Sequence, residues 1–101
     1  MIVIHASVLI DPAKTDAAMA VMKEMMAESK KEAGCDVYLF TRDLSEPGRF
    51  YIIEEWASDE ILAAHFKTPH MAKFQAAVPS FGVREMKAER FVVSSKGPLR
   101  P

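Results

Sequence analysis

Asparagine is absent from this chain, and cysteine and tryptophan occur once each. A single cysteine, Cys35, excludes an internal disulfide. With no CxxC partner it reads as a small buried apolar residue rather than a reactive thiol. The four glycines stand apart from one another, so neither GxGxxG nor GxxxxGK[ST] occurs, and nucleotide or flavin binding has no support. GxSxG and HExxH are also missing. Nor is there an excess of either charge: thirteen basic residues face fourteen acidic ones, for a net charge of −1. The basic residues are scattered among acids, which argues against a nucleic-acid partner or an anionic membrane surface. No apolar run is long enough to span a membrane. The first ten residues lack the basic start of a signal peptide, so the expected location is cytoplasmic.

What is present suits one small domain. A chain of 101 residues, half of them hydrophobic, can bury one modest core but not two. "MIVIHASVLI" alternates as a strand, with Ile2, Ile4, Ala6, Val8 and Ile10 on one face. Residues 13–34 read as a helix rich in Ala, Met, Glu and Lys, with a stripe of Ala18, Met22, Met25 and Ser29 and a stop at Gly34. Strands follow at 35–42 and 49–57, joined by a turn in which Pro47-Gly48 takes the two central positions. Ser58 can cap a short helix to about Lys67. Thr68 can cap another, with Pro69 at its first position, to about Val78. A last strand spans 83–94. The domain is thus expected over 1–94, with a polar tail over 95–101.

The order β-α-β-β-α-β is the ferredoxin-like α+β pattern, a four-stranded antiparallel sheet with both helical units on one face. The third strand is apolar on both sides, with Phe50, Ile52 and Trp56 on one and Tyr51, Ile53 and Ala57 on the other. A sheet wetted on one side alternates more cleanly. The free face therefore predicts a second copy, in a two-fold homodimer.

Chemistry concentrates in "AHFKTPHMAKF", residues 64–74. His65 and His70 are five residues apart, about 140° around an unbroken helix, and Pro69 breaks the helix between them. This is not the i, i+4 spacing of a helical metal pair, and no metal is expected. His65 lies at a helix end, where imidazolium is favoured, and His70 at a helix start, where it is disfavoured. Such opposite tuning can separate acid and base roles. The plainer alternative is two half-buried rings bonded to backbone at the break. Glu54 lies in the apolar row Ile52–Glu54–Trp56 and needs a partner, either a pocket group or an arginine such as Arg42 or Arg90. Trp56 reads first as core, and the methionines at 19, 22, 25 and 26 as a soft helix face. His5 lies on the less apolar face of the first strand, bordering a pocket, packed inside, or in a dimer contact.

Gly34-Cys35, "EEWAS" (54–58) and the H-x-x-x-P-H-x-x-x-F run (65–74) resemble the antibiotic biosynthesis monooxygenase domain family, nearest to bacterial quinol monooxygenases. The likeness spans residues 1 to about 94. It implies a ferredoxin-like protomer paired into a dimeric α/β barrel, and oxygenation of a quinol-like or polyphenolic aromatic by O₂ with no cofactor. A base takes a phenolic proton and the anion passes an electron to O₂. On this resemblance His70 is the expected base, His65 a second polar group and Glu54 an orienting carboxylate. Trp56, Phe74, Phe66, Met22 and His5 would be substrate contacts. Branches that pair an asparagine with a tryptophan are disfavoured, because the chain has no asparagine. A branch that isomerises the phosphorylated autoinducer-2 signal is also similar and would need a phosphate site near Arg49, Arg84, Lys87 or Arg90. A non-catalytic dimer binding an aromatic ligand is the third possibility.

Overall fold

A computed structural model describes residues 1–100. Four strands, β1 (Ile2–Leu9), β2 (Cys35–Arg42), β3 (Arg49–Trp56) and β4 (Glu85–Val92), alternate with three α-helices, α1 (Thr15–Ser29), α2 (Asp59–His65) and α3 (Pro69–Ala77). The sheet is antiparallel in the order β2-β3-β1-β4, the ferredoxin-like arrangement.

The strands form where alternation supports a half-buried surface. Ile2 and Val8 of β1 and Phe50, Ile52 and Trp56 of β3 are buried on one face. The stripe of α1, Ala18, Met22, Met25 and Ser29, is buried against it. Both short helices start where their caps dictate. Ser58 Oγ accepts from Ile61 N–H (3.2 Å) and Thr68 Oγ1 from Met71 N–H (3.2 Å), with Pro69 in the first turn of α3.

Helix α1 is shorter than the sequence suggests. Pro12–Lys14 forms a separate 3₁₀ turn capped by Asp11, whose side chain accepts from Ala13 N–H. Past Ser29 the chain tightens into three-residue turns, in which Glu32 N–H reaches Ser29 C=O (3.0 Å) and Cys35 N–H reaches Glu32 C=O (3.2 Å). Gly34 completes the turn at φ +82°, and a Cβ there would lie 2.9 Å from the Ile61 side chain. These turns aim Glu32 at the junction of α2 and α3. Strand β4 is also shorter than expected. It is an edge strand whose eight residues are all exposed.

The core has two centres. One gathers Val8, Ile10, Ala18, Met22, Phe50, Ile52 and Phe81. The other gathers Ile2, Met25, Tyr38, Trp56 and Leu62.

Candidate functional site

Between the helices and the sheet lies a partly open cavity of about 270 Å³. This is close to the lower end of small-molecule sites, roughly 300 Å³. Alternate residues of β1 (Ile4, Ala6, Val8) form its floor, with Ile52 and Glu54 of β3 beside them. Met22, Phe66, Met71 and Phe74 close it from the helices, and Met86, Ala88 and Arg90 from β4. The walls are apolar almost throughout. Phe66 is 56% exposed, at the mouth. Arg90 also lines the cavity, but its guanidinium is paired with Asp59.

Glu54 is the carboxylate in this apolar lining that the sequence leads one to expect, but its partner is neither Arg42 nor Arg90. Residues two apart on a strand share a face, and Trp56 Nε1–H donates to Glu54 Oε1 at 2.9 Å. Burial pushes the Glu54 carboxyl above its ordinary range. The Trp56 hydrogen bond and the nearby His65 oppose this without cancelling it. Burial, with the charge of Glu54 next, likewise raises the Tyr38 hydroxyl.

The two histidines do not face the cavity, contrary to the expectation from sequence. Their rings converge on Glu32 instead. His65 Nδ1 lies 2.7 Å and His70 Nε2 2.8 Å from the same oxygen, Oε2. The angular separation holds only for a continuous helix. At the break, Thr68 Oγ1–H donates to His65 C=O (2.8 Å) while its oxygen caps α3. The chain direction changes there, and the ring centroids come within 6.0 Å. His65 is buried and packs on Trp56 (centroids 4.4 Å) and Tyr38 (5.5 Å). A chain of contacts therefore runs from His70 through Glu32, His65 and Trp56 to Glu54.

Of the expected substrate contacts, Met22, Phe66 and Phe74 line the cavity. Trp56 does not, being wholly buried beneath Glu54. His5 lies on the opposite face of the sheet, exposed and packed on Phe91 at 5.0 Å. Cys35 is only half-buried, not buried as expected, and partial burial and then Glu32 push its thiol up to about 11. Sequence reasoning missed Glu32, which lies 33 and 38 residues from its two partners. Its one local signal is an acid between two lysines and a helix-stopping glycine.

The class is that of ferredoxin-like α+β proteins, here with an apolar cavity between helices and sheet and the half-buried Glu54 carboxylate in its wall. Within that class the chain belongs to the antibiotic biosynthesis monooxygenase family, whose sequence profile matches residues 1–77. A Bacteroides thetaiotaomicron protein of unknown function, described as a possible oxidoreductase, is 33% identical (TM-score 0.81; 89% of this chain and 94% of that one). A Caulobacter crescentus protein named as a candidate antibiotic biosynthesis monooxygenase is 27% identical (TM-score 0.87; 93% and 90%). One from Deinococcus radiodurans shares the fold at 21% identity (TM-score 0.90; 100% of both chains). An uncharacterized Synechocystis protein is 30% identical over 78 residues, and the aligned region spans 53% of its length. Among the described residues, no helix is long and apolar enough to cross a membrane.

Proposed function

We propose that the chain is a cofactor-independent monooxygenase of a quinol-like aromatic, acting as a homodimer. The observation that carries this is the apolar cavity with the half-buried Glu54 carboxylate in its wall. An uncharged aromatic diol suits such walls, and a carboxylate with a raised pKa is a better match for a phenolic proton than an ordinary one. Glu54, rather than His70, is the group placed to take that proton, with Trp56 Nε1–H holding it in position. The phenolate passes an electron to O₂. Overall, quinol plus O₂ gives a hydroxyquinone plus water: one oxygen atom enters the ring, and the other leaves with two hydrogens. His65, Glu32 and His70 orient Trp56 from behind.

The phosphorylated-sugar isomerase is less well supported. Of Arg49, Arg84, Lys87 and Arg90, the cavity lining includes Arg90 alone, and Asp59 already holds it. The homodimer is supported by the free sheet face. Leu39, Tyr51 and Phe91 are 37%, 39% and 42% exposed on strands whose other face carries the helices.

The test is O₂ uptake with naphthoquinol substrates, with autoxidation subtracted. Enzyme-dependent hydroxyquinone formation that stops under anaerobic conditions is expected. Glu54→Gln should slow it by at least about 100-fold, the usual scale of a lost proton acceptor. Turnover that continues without O₂ uptake overturns the proposal.

A further inference from the structure

We propose that Glu32, His65 and His70 form a binding site for a divalent transition-metal ion of the zinc type, separate from the cavity. The ligand atoms, one carboxylate oxygen and two imidazole nitrogens, all lie within 4.8 Å of one another. None of the three residues lines the cavity, so the ion would be structural, bracing the His65 ring behind Trp56 rather than meeting substrate.

The donor set is the first argument. Two imidazoles and a carboxylate are a recurrent three-ligand set for zinc, with the fourth position left to water. Placement is the second. The donors come from separate parts of the chain, Glu32 from the turns after α1 and the histidines from either side of the α2–α3 break. Nδ1 of one ring and Nε2 of the other are both directed at Glu32 Oε2 (2.7 and 2.8 Å). Zinc–nitrogen and zinc–oxygen distances are about 2.0–2.2 Å. Modest outward movement of three side chains would seat an ion where two N–H protons now share one oxygen. Rigidity is the third. Trp56 and Tyr38 hold the His65 ring from two sides. Access is the fourth. The side chains of Glu32 and His70 are 15% and 16% exposed, so an ion can enter from that edge without unfolding the core. Bound there, it would clamp the exit of α1 to both helices of the break.

Titrating EDTA-treated protein with Co²⁺, followed by visible absorption, tests the proposal. One equivalent per chain with a strong, tetrahedral-type spectrum is expected, and Zn²⁺ should displace it. Glu32→Gln and His70→Ala should each weaken uptake by more than the roughly 10–100-fold that loss of an outer partner causes. His5→Ala should leave it unchanged. If either site variant fails to fold, the native protein decides by NMR: Co²⁺ should shift the ring protons of His65 and His70 but not those of His5. Absence of stoichiometric uptake, uptake that both variants retain, or a shift at His5 alone overturns the site and leaves the three residues as a hydrogen-bonded clasp.

Discussion

Beneath the helices, one end of the core is purely apolar, while polar groups thread the other. At the first end Ile10, Phe50, Met22 and Phe81 meet with no ionisable group among them. At the second, Trp56 and Tyr38, which cluster with Met25 and Leu62, pack on His65, with Glu32 and Glu54 on either side of the Trp56–His65 stack. Both ends bury aromatic rings, so both contribute apolar burial. Only the second fixes ring orientations through hydrogen bonds, which must be satisfied as a set, because each lost partner strands another buried group. The apolar end can be repacked by volume, whereas the polar end cannot.

The sharpest way to break that contrast is a pair of truncations. Phe50→Ala should cost about 3–5 kcal/mol, the usual range for a buried aromatic. Trp56→Ala should reach or exceed the top of that range, because it also strands Glu54. Urea unfolding of both variants measures the difference, and equal costs would mean that the Trp56–Glu54 hydrogen bond contributes little. Next in size, Glu32→Gln should lose about 1–3 kcal/mol, since an amide oxygen replaces a carboxylate that accepts from two imidazoles. The same melts test this, and an unchanged midpoint would show that the clasp is not coupled to the fold.

Glu54→Gln sharpens the comparison through pH. Burial raises the Glu54 carboxyl above its ordinary value of 4.5 in the folded state. The stability this group contributes is therefore complete below that value and is lost as pH rises through the folded one. The variant lacks this loss. Its melting temperature should match the parent's near pH 4 and exceed it at pH 7, even as activity falls. A constant difference at both values would place the raised pKa elsewhere. The smallest effect belongs to Phe66→Ala at the cavity mouth. A residue more than half exposed should change stability by no more than about 0.5 kcal/mol. KM for the quinol should nevertheless rise if the ring covers bound substrate.

Much of the fold was legible locally. Ser58 and Thr68-Pro69 announced two helix starts, and alternation announced β1 and β3, whose inner faces turn out to floor the cavity. The site was only half legible. Strand alternation singled out Glu54, the family resemblance implied Met22, Phe66 and Phe74, and all four line the cavity. Local pattern also hid a fault in β2. A bulge between Cys35 and Val37 shifts its register, so that Cys35 pairs with Trp56 and Tyr38 with Glu54. Tyr38 therefore reaches the helix side, which simple alternation from Cys35 would deny it.

The sequence by itself determined the element order, the caps and the break in the second helical unit, because these depend on residues a few positions apart. Tertiary structure alone decided where the two histidines point. Helix α3 packs on α1 and, through Phe74, on Phe40 of β2, while Gly34 in the turns that aim Glu32 abuts Ile61 of α2, so tertiary contacts set both. A contact across more than thirty residues has no local spacing to betray it. The rings that sequence placed in the pocket stand behind it, and the carboxylate between them came from a turn with no visible motif.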